Sequence, residues 1–170
     1  FFVPRINDVT KDVINKENIN FGGQLLIVDT DDVIDMHDDP TTLLKAHSNS
    51  SMALAFKELA EDRADAFVSA GSTGAVVVGG TLIVKRIKGI KRPALAGMIP
   101  SPNGHYMLMD MGANAECRPE MLCQFGIMAS AYLKGVEGKE NPTIGLLNIG
   151  TEDSKGGQLQ KDTYAPSRKF

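Results

Sequence analysis

The sequence predicts an α/β protein: a mainly parallel sheet with helices on both faces. Three observations carry this. Short apolar runs, without the polar alternation of a half-exposed strand, alternate with segments of helical spacing. Three of the runs end in polar turns: Ser69-Ala-Gly-Ser-Thr-Gly74, Asp110-Met-Gly-Ala-Asn114 and Asn148-Ile-Gly-Thr-Glu152. Finally, 42% hydrophobic residues in 170 supply a core for about one domain, so residues 1–170 are expected to form a single α/β domain.

The elements follow in order. Residues 1–24 are polar and irregular, with weak helical character from Asp8 to Lys16. Leu25 to Val28 reads as a short strand and Thr41 to Ala46 as one helical turn. Ser50-Ser51 caps a helix carrying Met52, Leu54, Ala55, Phe56 and Leu59 at helical spacing. Ala66 to Val68 reads as a buried strand. Thr73 to Ile87 reads as a helix, and its Gly79-Gly80 pair points to close packing against another element. Lys88 to Pro93 is a turn, Ala94 to Ile99 a strand, Pro100 to Gly104 a loop, and Tyr106 to Met109 a strand. The shortness of that loop makes the last two strands an expected antiparallel pair. Pro119 opens a long helix to about Lys134. Thr143 to Leu147 is the last expected strand and Lys155 to Tyr164 the last helix. In such sheets ligands bind beyond the carboxyl ends of the strands, so the three turns are expected to converge on one site.

Composition excludes several classes. With 18 basic and 21 acidic side chains the net charge is −3, and nothing global favours nucleic acid. Cys117 and Cys123, six residues apart, form neither a disulfide framework nor a zinc spacing and read as buried thiols. No signal peptide is expected, since no basic start leads into an apolar stretch and cleavage site, and no apolar run reaches the roughly 18 residues of a membrane span. Asp29, Asp31, Asp32, Asp35, Asp38 and Asp39 crowd one segment but lack the glycine and oxygen spacing of a calcium loop, so they read as a solvated face. His37, His47 and His105 have no motif around them and read as surface residues. Lys85, Arg86, Lys88, Lys91 and Arg92 cluster where no acidic residue intervenes between Asp65 and Asp110. Their field is either a solvated face or a steering surface for an acidic partner.

None of the three turns matches a dinucleotide fingerprint, a P-loop or a nucleophile elbow. Ser69 to Gly74 has the make-up of an anion nest at a helix start. Tight helix–strand packing accounts for its glycines equally well.

Read together, Ser69-Ala-Gly-Ser-Thr-Gly-Ala75, Arg86-Ile-Lys-Gly-Ile-Lys-Arg-Pro-Ala-Leu95, Asp110-Met-Gly-Ala-Asn114 and Gly145-Leu-Leu-Asn-Ile-Gly-Thr-Glu152 have the order and spacing of the bacterial acyl-ACP:phosphate acyltransferases, the PlsX family. The resemblance covers about Val33 to Tyr164. It implies a three-layer α/β/α Rossmann-like fold, a homodimer, and transfer of a fatty acyl chain from acyl carrier protein to inorganic phosphate for phospholipid synthesis. It implies no cofactor and no metal. It also implies a cytoplasmic enzyme with peripheral association at the inner membrane face. Ser72 stands where the family commonly has asparagine. Lys45-Ala-His-Ser-Asn49 stands where it often has a more basic run. The family's opening Gly-Gly-Asp loop has no counterpart near Phe1, and its C-terminal half is not represented, so the sequence reads as a fragment.

On this resemblance, Ser69, Gly71, Ser72, Thr73, Gly74, Asp110, Thr151 and Glu152 are the expected phosphate-binding residues. Asn114, Asn148 and Lys155 are the expected catalytic ones. Lys85, Arg86, Lys88, Lys91 and Arg92 are the expected docking surface for acyl carrier protein. An acyl-coenzyme A-dependent enzyme and a non-catalytic phosphate- or nucleotide-binding module are the alternatives.

Overall fold

The structure is a computed structural model that describes residues 2–5, 7–18, 20, 22–23, 25–152 and 155–167. They form two compact units, one running to Ile87 and the other starting at Lys88.

The first unit opens with a β-α-β arrangement. Strand β1 (Phe2–Arg5) is followed by helix α1 (Asn7–Lys16) and strand β2 (Leu26–Asp29), and the two strands pair in parallel with Phe2 opposite Leu26 and Arg5 opposite Asp29. Parallel neighbours need such a crossover, because a tight turn reverses the chain. Residues 2–5, read from sequence as irregular, are therefore a strand. Asp39 then caps a 3-10 turn (Pro40–Leu44): its carboxylate accepts from the Thr41 N–H at 2.9 Å and Pro40 occupies the first position, where no N–H is needed. Helix α2 (Ser51–Ala60) starts at Ser50, whose buried hydroxyl accepts from Ala53 N–H and donates to the His47 carbonyl at 2.7 Å.

Helix α3 (Thr73–Gly79) runs on as a π turn (Gly80–Val84), shorter and less regular than the expected helix to Ile87. Ile34, Leu43, Met52, Ala53, Phe56 and Ala75 form the unit's core, with Phe67, Val76, Val78 and Ile83 packed on it. The Phe56 and Phe67 rings lie 4.3 Å apart. Gly79 explains itself here, since a Cβ would overlap the Phe56 ring. The close packing expected of Gly79-Gly80 is found at Gly79.

The second unit contains the hairpin of β3 (Ala96–Ser101) and β4 (Gly104–Met109), antiparallel as expected. Pro100 and Ser101, expected in a loop, are paired with His105 and Gly104. The loop thus contracts to Pro102-Asn103, and Gly104 adopts φ +118°, a conformation that favours glycine. Helix α4 (Pro119–Gly135) begins and ends within a residue of its expected bounds. It buries Met121, Phe125 and Leu133, spaced four and eight residues apart on one face, and packs on α5 (Gln158–Ser167) and β4.

Two expected strands are not formed. Residues 66–68 and 143–147 are unpaired coil, and Val68 is 93% and Leu147 80% exposed. Their apolar character matched a buried strand, but a strand is made by a neighbour, and neither segment pairs with one here. Among the described residues no helix is long and apolar enough to cross a membrane.

Candidate functional site

The three turns were expected to form one site. The Ser69–Gly74 turn belongs to the first unit and the other two to the second, and each is built by hydrogen bonds of its own.

In the first turn Ser69 Oγ accepts from Gly71 N–H at 3.0 Å. Ser72 is buried and caps α3: its hydroxyl accepts from Ala75 N–H at 3.3 Å and its carbonyl from Val76 N–H at 3.0 Å. The glycines have packing reasons. A Cβ on Gly74 would stand 2.6 Å from Pro40 Cγ, and one on Gly71 would stand 3.2 Å from the Met52 methyl. Thr73 is exposed, and helix geometry gives the N–H groups of Thr73 and Gly74 no intrahelical acceptor.

The second turn is organised by Asp110. One carboxylate oxygen accepts from Leu95 N–H at 2.7 Å and Ala113 N–H at 3.2 Å. The other accepts from Asn114 N–H at 2.8 Å and Asn114 Nδ2 at 3.0 Å. Burial pushes the Asp110 pKa up, but the hydrogen bonds from Leu95, Asn114 and Ala113 outweigh it and hold the group below its ordinary value. Asn114 Nδ2 also donates to the Pro93 carbonyl at 2.9 Å, so both its N–H groups are committed to the turn. Burial and the Asp110 charge raise the Cys117 pKa, which disfavours the thiolate.

The third turn follows the same logic. Asn148 accepts from Ile149 N–H at 2.8 Å and donates to the Lys155 carbonyl at 3.2 Å. Lys155 N–H donates to the Glu152 carbonyl at 2.9 Å. Gly156, at φ +86°, lies so close to Asn148 that a Cβ would overlap its carboxamide. Thr151, Glu152 and Lys155 are exposed.

The basic cluster divides at the unit boundary. Lys85 and Arg86 close the first unit, Lys85 at φ +75°. Lys88, Lys91 and Arg92 open the second and are exposed. Lys91 Nζ pairs with Glu120 at 2.8 Å.

Sequence reasoning missed one constellation. His47 Nδ1 lies 2.7 Å from Asp32 and Nε2 3.7 Å from Asp38. The hydrogen bond to Asp32 raises the His47 pKa; burial opposes it, and the charges of Asp32 and Asp38 add to it. Asp29, Asp31, Asp35 and Asp39 are exposed, as a solvated face requires, while Asp32 and Asp38 are half-buried beside His47. No local pattern in the sequence joins His47 to Asp32, 15 residues earlier in the chain. Among the described residues no three His, Cys, Asp or Glu side chains gather as metal ligands.

The model of a family described as fatty acid synthesis protein matches residues 3–169. The chain belongs to this family. It is 48% identical over 157 residues to a phosphate acyltransferase of Caldicellulosiruptor saccharolyticus, covering 91% of this chain and 47% of the relative. It is 47% identical over 142 residues to one of Bacillus subtilis, covering 83% and 43%. One of Clostridium novyi is 43% identical over 160 residues, covering 94% and 46%. The chain spans about half the length of the curated relatives it matches. The resemblance read from the four sequence segments is borne out.

Proposed function

We propose that this chain is part of a phosphate acyltransferase that moves a fatty acyl chain from acyl carrier protein to inorganic phosphate. The observation that carries this reading is the 48% identity, over 91% of the chain, to a protein named phosphate acyltransferase. A phosphate oxygen attacks the thioester carbonyl carbon, the C–S bond breaks, and the carrier thiolate leaves with the proton from hydrogen phosphate. The products are acyl phosphate and free thiol. Phosphate brings its own nucleophile, so the protein has only to orient it, offset charge and stabilise the oxyanion.

Under this proposal Ser69, Thr73 and the N–H groups of Thr73 and Gly74 hold phosphate, with Gly71 and Ser72 shaping the turn. Within the second unit, Lys155 supplies positive charge to the third turn, which Thr151 and Glu152 line. The carboxamide of Asn114, both of whose N–H groups are taken, acts by setting the backbone of its turn, as does Asp110, and Asn148 sets the third turn and orients phosphate or the oxyanion with its second N–H. Lys88 and Arg92 in the second unit, and Lys85 and Arg86 at the end of the first, supply positive charge toward the acidic carrier protein, with Lys91 anchoring its own segment. The finer architecture, a three-layer sandwich around a mainly parallel sheet, is proposed for the longer protein. There the apolar segments 66–68 and 143–147 gain strand neighbours. Homodimerisation and peripheral membrane association are proposed on the family resemblance.

Phosphate-dependent loss of the thioester, measured on the intact protein with acyl carrier protein and then with acyl-coenzyme A, tests this. Turnover is expected with the carrier protein. Turnover with coenzyme A alone reassigns the donor, and none with either overturns the enzyme reading.

A further inference from the structure

The basic segment at the start of the second unit does not hang free. Gly89, at φ +92°, turns the chain. Gln124 Nε2 donates to the Gly89 carbonyl at 2.9 Å, and Gln124 Oε1 accepts from the Lys91 N–H at 2.8 Å. The carboxamide thus serves the segment as a peptide group of a neighbouring strand would. Glu120, one turn earlier on the same face of α4, takes Lys91 Nζ at 2.8 Å. Asn114 holds the Pro93 carbonyl at 2.9 Å just beyond. Three successive anchors, at Gly89, Lys91 and Pro93, fix a stretch whose remaining cations, Lys88 and Arg92, are exposed.

We infer that Gln124 is a positioning residue that pre-organises Lys88 and Arg92 to receive an acidic protein, which rests on the carrier-docking reading proposed above. Lys91 is an anchor more than a contact, because Glu120 already offsets its charge. A charged loop fixed before encounter loses less conformational freedom on binding, and its field steers association.

The test uses the intact protein. Gln124→Ala removes both hydrogen bonds and keeps a strong helix former in α4. Gln124→Met, of similar length and likewise helix-compatible, guards against a packing defect. Both are expected to raise KM for the acyl carrier protein about threefold to tenfold at low salt, with kcat changed less than about twofold. The difference shrinks as salt is added, and the Lys91 amide exchanges its hydrogen faster. Charge reversal in Lys88→Glu/Arg92→Glu raises KM on its own. An unchanged KM in both Gln124 variants, with charge reversal still effective, overturns the positioning role and leaves docking intact. An unchanged KM on charge reversal removes the docking surface, and the inference with it.

Discussion

Asp110 shows what one carboxylate can hold together. It collects donors from Leu95, Ala113 and both nitrogens of Asn114. Replacing it with alanine leaves several of these without an acceptor, at a cost of about 2–3 kcal/mol, read as a lower urea midpoint. Because its folded pKa is depressed, its stabilisation is present above the unfolded value near 4 and is lost as pH falls through the lower folded value. Asp110→Asn removes that acid-dependent loss, and parallel acid-unfolding curves for parent and variant would contradict the assignment. His47 has the opposite sign. Its folded pKa is raised, so its contribution is full below about pH 6.5 and fades as pH rises through the folded value. Asp32→Asn is expected to return the His47 titration toward its ordinary pKa, followed by the shift of the ring resonances. A titration unmoved by that substitution rules out the contact at 2.7 Å as the cause.

At the scale of elements, α3 and α2 meet at Gly79 and Phe56. Gly79→Ala puts a methyl group into the ring, with an expected loss of about 1–3 kcal/mol. Phe56→Leu in the same chain should recover part of it, and strict additivity of the two would show that they do not couple. The elements legible in the sequence were those with local signals. Ser50 announced α2, Pro119 announced α4, and a short loop announced the hairpin. The rest depended on partners distant in the chain. β1 is four residues long and is a strand because β2 lies beside it. Residues 66–68 and 143–147 have strand composition without a strand neighbour. The turns of the candidate site were visible as glycine and polar clusters. Their internal wiring was not, because the pairing of Asp110 with Leu95, or of Gly74 with Pro40, spans residues that no local pattern connects.

At the scale of the whole molecule, the boundary between the units falls at Ile87 and Lys88, inside a basic stretch. Ile87 is 74% exposed and Lys85, Arg86 and Lys88 lie beside it. Brief trypsin treatment is expected to cut first after Lys85, Arg86 or Lys88, since accessible connections between compact units are cleaved before helices. First cuts after Lys57 in α2 or Lys134 in α4 would argue against this boundary.

The bare apolar stretches have a practical consequence for anyone handling this polypeptide. Val68, Leu147 and Ile149, at 93%, 80% and 86% exposure, offer greasy side chains to whatever drifts past. Produced by itself, the 170-residue chain should cloud as its concentration rises and brighten hydrophobic dyes. Lysine placed at Val68 and Leu147 should keep it clear.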